Sequence, residues 1–307
     1  MTNFKKIGLT ALAGSLAVTA YAQAGALSVN GTARMEYSTD NTTLTNTTTS
    51  AFAQNTSISF SGSGELDNGM TVSYFSLQAA SNVSTQRVAL DMGDMGTITL
   101  ATNDAAGIGS IADKVPNGGE QPWDDNGVHG TPEQGVADIH ATQMLGYKTT
   151  VGGTTVSAAM SYDQNTPSTS VAVSYTGVEG LNVGFGLGTD QDTATTEQDV
   201  STYYAAYTMG GVSVGYQLTD VEPTAASSDI ERTAYGVSFA VNENMSIGYG
   251  VSDTEFQALT LDEENVGIGM SYTAGGMKLG IQNITKDNMG GAAGELETTV
   301  FQLSFAF

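Results

Sequence analysis

The chain of 307 residues contains no cysteine. That excludes a disulfide framework, a thiolate metal site and a cysteine nucleophile. Proline is sparse, with five residues, tryptophan occurs once (Trp123), and histidine twice (His129, His140). Neither histidine belongs to an H-E-x-x-H pattern, and no phosphate-binding or dinucleotide-binding glycine motif is present. No pair of carboxylates stands out as a glycosidase pair. Positive charge is scarce too, with nine Lys and Arg against 32 Asp and Glu. So acidic a chain cannot hold nucleic acid by neutralising phosphates, although it can attract cations. After the first 22 residues no apolar run is long enough for a transmembrane helix.

The first 22 residues read as a cleaved export signal. Lys5 and Lys6 precede the apolar run from Ile7 to Val18, and Ala20-Tyr21-Ala22 or Ala22-Gln23-Ala24 supplies a small-x-small cleavage site. Cleavage is expected after Ala22, within about two residues, leaving 23–307 as one domain. Seven of the nine basic residues then remain against all 32 acidic ones, a net charge of −25.

The rest of the chain alternates at the period of a strand. Leu181, Val183, Phe185 and Leu187 alternate with Asn182, Gly184, Gly186 and Gly188, and Val212, Val214, Tyr216 and Leu218 with Ser213, Gly215, Gln217 and Thr219. Sixteen strands are predicted, over about 27–38, 55–66, 70–79, 84–92, 96–102, 139–149, 154–162, 168–176, 181–189, 199–209, 212–221, 230–241, 245–255, 263–273, 277–286 and 296–307. In 70–79 the pairs Val72-Tyr74 and Phe75-Leu77 disagree about which face is apolar. Turn-like connections such as Asp67-Asn68-Gly69, Gly210-Gly211 and Ala274-Gly275-Gly276 interleave with mostly longer polar ones at 39–54, 80–83, 103–138, 163–167, 190–198, 222–229, 256–262 and 287–295. Even strand number and alternating connection length predict an all-β, antiparallel, up-and-down barrel with short turns at one rim and long loops at the other. Periodicity alone does not say which face meets the core. The many Gly and Ser on the polar faces could not fill a dry core to normal density, but they suit a wet lumen enclosed by an apolar outer surface.

The final strand ends on Phe307, with Phe301, Leu303 and Phe305 on the same face. An aromatic terminal carboxylate on such a strand resembles the ending of Gram-negative outer-membrane barrels, where it addresses the barrel-assembly machinery. Phe60-Ser61-Gly62-Ser63-Gly64-Glu65-Leu66-Asp67-Asn68-Gly69-Met70-Thr71-Val72 and Met92-Gly93-Asp94-Met95-Gly96-Thr97-Ile98-Thr99-Leu100 resemble the first two periplasmic turns of the general porins of alphaproteobacteria. The resemblance covers essentially the whole mature chain. It implies a sixteen-stranded homotrimeric diffusion channel of the outer membrane, surrounded by lipid and lipopolysaccharide, passing ions and small hydrophilic solutes and carrying no cofactor. It also implies that the loop after strand 5 folds into the barrel and narrows the pore. The longest connection, 103–138, falls at that place, and a loop of this length is usually functional.

That loop carries Asp104, Asp113, Glu120, Asp124, Asp125, Glu133 and Asp138. Strand parity places Arg34, Arg87, Arg232 and Lys278 on lumen-facing positions, since an Arg facing lipid near mid-membrane costs about 2–4 kcal/mol. Arg34 and Arg87 lead, their strands being expected to neighbour the loop. Lys148 shares the parity but sits near the periplasmic end. By the resemblance, acidic loop residues face basic wall residues across the constriction. Excess negative charge in a narrow pore favours cations, so mild cation selectivity is expected. Trp123 reads as a packing anchor of the loop. Tyr37, Tyr147, Tyr162, Tyr175, Tyr272, Phe305 and Phe307 are candidates for aromatic girdles. Asp190, Asp192, Glu197 and Asp199 form an acidic outer loop suggestive of Ca2+, but lack the EF-hand glycine and closing Glu. The alternative to a general diffusion pore is a substrate-selective channel, or a surface-structural or adhesive barrel with a plugged lumen.

Overall fold

The computed structural model describes residues 23–24, 27–43, 47–79, 82–102, 104–117, 143–163, 166–193, 196–224 and 228–307. The export signal expected over 1–22 lies outside them. The sixteen strands are β1 (Ser28–Thr42), β2 (Thr47–Glu65), β3 (Thr71–Ala79), β4 (Asn82–Asp91), β5 (Thr97–Thr102), β6 (Met144–Val151), β7 (Thr154–Asp163) and β8 (Thr166–Tyr175), then β9 (Leu181–Thr193), β10 (Thr196–Met209), β11 (Val212–Pro223), β12 (Ile230–Asn242), β13 (Met245–Phe256), β14 (Glu263–Ala274), β15 (Met277–Asp287) and β16 (Glu295–Ala306). Each pairs antiparallel with the next, and β16 pairs with β1 from Leu296↔Thr42 to Ala306↔Thr32, so the sheet closes on itself. Beyond that ladder, Gly31 N–H donates to Phe307 O at 2.7 Å and Phe307 N–H to Gly31 O at 3.0 Å. Gln23–Ala24 adds a short pairing against Glu65 and Gly64 of β2.

The two faces of the wall are inverted relative to a soluble protein. Met35 is 54% exposed, Ile268 59% and Phe52 88%, while Thr202, Ser252 and Asn265 are fully buried. Register pairing keeps the faces consistent from strand to strand: Tyr203, Leu218 and Thr233 share the outer side, and Thr202, Thr219, Arg232 and Thr254 the inner side. A barrel whose outer positions are apolar and whose inner ones are polar suits a hydrocarbon exterior and a wet interior.

All sixteen predicted strands are found, but several run further than alternation suggested. The stretch 39–54 was expected to be a loop. Instead β1 and β2 pair out to Thr42↔Thr47. Likewise β9 and β10 pair to Thr193↔Thr196 where a loop was expected over 190–198. These extensions are rich in Thr, Ser and Asn. Thr has high β-propensity, and cross-strand contacts such as Thr39 Oγ1 with Ser50 Oγ at 3.2 Å hold the ladder. Both faces are polar there, so no period-2 signal marks them. In β3, Val72 and Tyr74 face out with Ser76 and Gln78, and Phe75 and Leu77 face in.

The face assignment yields a direct test. Val214, outward on β11, changed to Arg is expected to cost about 2–4 kcal/mol. Ser238→Arg on the inner face is expected to stay within about 0.5 kcal/mol. Equilibrium unfolding in phospholipid vesicles measures both, and equal costs would reverse the assignment.

Candidate functional site: a loop seated inside the barrel

After β5 the chain turns inward and runs along the inner wall. Asp104 comes first. Both its carboxylate oxygens lie 3.3 Å from Arg87 Nη1. The Arg87 guanidinium sits 5.3 Å above the ring of Phe75, its inward-facing partner on β3. A 3-10 turn, Gly107–Ile111, follows. Gly107 N–H donates to Ser157 Oγ at 2.9 Å and Ile108 N–H to Ser170 Oγ at 3.0 Å, which ties the turn to β7 and β8.

Ile108 and Ile111 are buried against Ala172, Val200, Tyr204 and Val221, with Ala112 and Ile230 beside them. Further along, Val115 packs on Ala234. These apolar clusters join the inner wall to the loop. The wall makes room with glycine: a Cβ at Gly186 would lie 2.9 Å from both Ile108 Cγ1 and Ile111 Cδ1, and one at Gly215 would lie 2.5 Å from Pro116 Cδ.

Gln217 joins loop and wall. Its Nε2 donates to Ile111 O at 3.0 Å and to Thr202 Oγ1 at 3.1 Å, and its Oε1 accepts from Lys114 N–H at 2.9 Å. One buried amide therefore brackets the turn at Asp113, whose φ is +50°. Such left-handed backbone is uncommon outside glycine, though Asp tolerates it better than most. Lys114 is half-buried, and burial pushes its pKa below the ordinary lysine value. Lys148 pushes the same way and Asp113 opposes.

The expected site residues separate into groups. Arg87 and Asp104 meet at the entry of the loop. Arg232, buried on β12, donates through Nε to Thr254 Oγ1 at 2.8 Å. It lies one inward position from Ala234, where Val115 packs. Arg34 and Lys278 lie elsewhere: both are in register with Ser304, on strands β1 and β15 either side of β16. Arg34 Nε lies 3.6 Å from Glu36 Oε2. Asp113 is exposed. Glu120, Asp124, Asp125, Glu133 and Asp138, with Trp123, His129 and His140, lie outside the described residues. Of the outer acidic group, Asp190 faces inward, accepting from Ser168 Oγ and Gln198 Nε2, and Asp199 faces outward, accepting from Thr189 Oγ1.

Sequence reasoning missed Gln217 and two buried inner-wall residues, Lys286 and Glu263. Glu263 accepts from Asn265 Nδ2 and from Gly290 N–H, both at 2.8 Å. With Lys286 included, six of the seven basic residues beyond the export signal have inward register on the wall, and the seventh, Lys114, is on the inner loop. Among the described residues, the charged side chains on the outer face near the long-loop rim are carboxylates, including Asp220, Glu231 and Glu255 in adjacent register.

A closed, inverted barrel with a peptide segment held against its inner wall defines a transmembrane channel. The sequence profile of the Gram-negative porin family matches residues 8–299, and the chain belongs to that family. It is accordingly an outer-membrane diffusion channel and not an enzyme. No curated protein matches the chain. Among solved structures, the chain is similar to a porin refined at 1.8 Å resolution, with 20% identity and a TM-score of 0.70 over 92% of this chain and 100% of that one. It is similar to the anion-selective porin from Comamonas acidovorans, with 15% identity and a TM-score of 0.72 over 93% and 100%. OmpT of Vibrio cholerae in its trimer form matches at 13% identity and a TM-score of 0.69 over 92% and 99%. At these identities the likeness is one of fold.

Gln217→Leu leaves Ile111 C=O and Lys114 N–H without their partner, at about 1–3 kcal/mol each for a buried group. Hydrogen exchange of the Lys114 amide is expected to accelerate at least tenfold while exchange within β10 and β11 stays unchanged. Unchanged Lys114 protection would remove Gln217 from the role of clamp.

Proposed function

We propose that the protein is a water-filled pore for ions and small hydrophilic solutes, mildly selective for cations, and narrowed by the loop after β5. The carrying observation is the seat of residues 104–117 on the inner wall. A segment so anchored occupies part of the cross-section, and the acidic stretch 118–142, outside the described residues, follows it directly in sequence. In this reading Asp113, Glu120, Asp124, Asp125, Glu133 and Asp138 supply the negative side of the constriction and Arg232 the positive side, while Asp104 and Arg87 pair at the loop's entry. Lumen charge then sets the local ion concentration.

The same reading includes export through a signal at 1–22, insertion directed by the C-terminal strand ending on Phe307, and assembly as a homotrimer. The fold similarity to OmpT in its trimer form supports the last of these. Around the barrel, the outer rim offers carboxylates and no Lys or Arg, so contact with phosphate-bearing lipopolysaccharide runs through intervening cations rather than direct ion pairs.

In a planar bilayer across a KCl gradient, the reversal potential is expected to lean toward potassium. A chloride-leaning potential would contradict the charge argument. Raising pH is expected to strengthen the potassium preference before ordinary lysines titrate. Burial lowers the pKa of Lys114, so over the interval between its folded and unfolded values the folded protein binds fewer protons. Stability rises with pH across that interval, and the lumen loses one positive charge. Lys114→Met is expected to abolish the rise in preference, and a rise that persists in this variant would assign it to other groups.

A further inference from the structure

The inner wall contains a second polar feature, away from the loop. A cavity of about 250 Å3 opens where β14, β15, β16 and β1 meet, lined by Arg34, Lys278, Gln282, Gln302, Ser271 and Ser304. These side chains share the inner face. Arg34, Ser304 and Lys278 form one register row, and Glu36, Gln302, Gly280 and Ser271 form the next. Neighbouring strands are about 4.8 Å apart, so the two cation-bearing positions are roughly 10 Å apart, within reach of a common centre for two long side chains. Gly280 forms the floor: a Cβ there would meet only Gln302, at 3.7 Å.

We propose that this cavity is a binding step for small oxyanions, either free phosphate or the carboxylate of an organic acid. The guanidinium of Arg34 and the ammonium of Lys278 are the charged donors. Glu36 lies at the edge. It accepts from Gln302 Nε2 at 3.1 Å and sits 3.6 Å from Arg34 Nε, so it orients Gln302 and Arg34. The charge around the cavity is two positive against one negative, a net +1 where the chain as a whole is strongly acidic. The volume, several times the roughly 30 Å3 share of one water, admits a partly hydrated oxyanion. Lys278 is the second residue after the Gly275-Gly276 turn and Ser304 lies three residues before the C-terminus, so the cavity sits toward the short-turn rim, below the loop seat. An anion that passes the acidic part of the lumen thus meets a compensating positive site before it leaves. The proposal deepens the reading of the protein as a channel, but the binding itself does not require conduction.

The test is an NMR titration of the refolded full mature barrel in detergent with inorganic phosphate, and separately with succinate. The backbone amide of Gly280 and the side chain of Lys278 are followed. Saturable shifts are expected at both, with apparent affinity at least fivefold weaker in Lys278→Gln and lost in Gly280→Val, whose side chain fills the floor. Heat-modifiable migration on gels verifies that both variants are folded. Phosphate shifts without succinate shifts would identify free phosphate as the ligand, and the reverse would identify organic acids. Shifts absent in the wild-type protein, or equal affinity in Lys278→Gln, would overturn the proposal. Parallel conductance recordings separate the two readings. Binding without conduction keeps the site and removes the channel, and conduction without binding does the opposite.

Discussion

Everything in this structure follows from one constraint: inside hydrocarbon no backbone N–H or C=O can turn to water for a partner. Each unsatisfied group costs several kcal/mol, so a strand can cross a membrane only as part of a closed sheet. The ladder between β16 and β1, ending in the reciprocal Gly31–Phe307 pair, is therefore the contact on which the remaining fifteen depend. Opening it would expose two edges to lipid at once. This places a structural demand on Phe307 and Gly31, whose reciprocal bonds end the ladder.

Closure also redistributes the hydrophobic effect. The wall gains its apolar stabilisation from lipid rather than from a core, which is why Phe52, Met35 and Ile268 remain exposed on the protein surface. The clusters of buried apolar residues form where the loop meets the wall. Ile108, Ile111 and Val115 press into inward-facing Val200, Tyr204, Val221 and Ala234, and the loop backbone is fixed by N–H groups donating to Ser157 and Ser170 and by Gln217 donating to Ile111 C=O. Charge is partitioned in the same way. The cationic side chains line the lumen, where water and carboxylates can accommodate them, and the outer surface carries carboxylates beyond the apolar band. The pore is thus electrostatically mixed along its wall, with paired charges at Arg87–Asp104 and a positive patch at Arg34 and Lys278.

Most of the architecture was legible in the chain because a barrel leaves a period-2 trace in every strand. Where the trace is absent, the reading stopped short. Thr39–Thr42 and Thr47–Ala51 have polar residues on both faces, so nothing in the pattern distinguished strand from loop, and only the pairing partner settles it. In β3 the conflict between Val72-Tyr74 and Phe75-Leu77 was real. Phe75 faces inward because the Arg87 guanidinium covers it, a tertiary contact that no local pattern encodes. Lys286 could have been found, since it lies an even eight residues from Lys278 on the same strand. Gln217 could not, because it is one polar inner residue among many until the loop lies against it. The grouping of Arg34 with Lys278 was likewise hidden. They are separated by nearly the whole chain and brought together only by closure.

The central claim is that the lumen is an open aqueous path with a loop set inside it. Swelling of proteoliposomes in isotonic solutions of neutral sugars of increasing size tests this most directly. If the claim holds, small sugars enter rapidly, rates fall steeply as solute size approaches the width left by the loop, and deletion of 105–142 with a short linker shifts the cutoff to larger sugars. Proteoliposomes that contain folded, heat-modifiable protein yet exclude even the smallest sugar would contradict it.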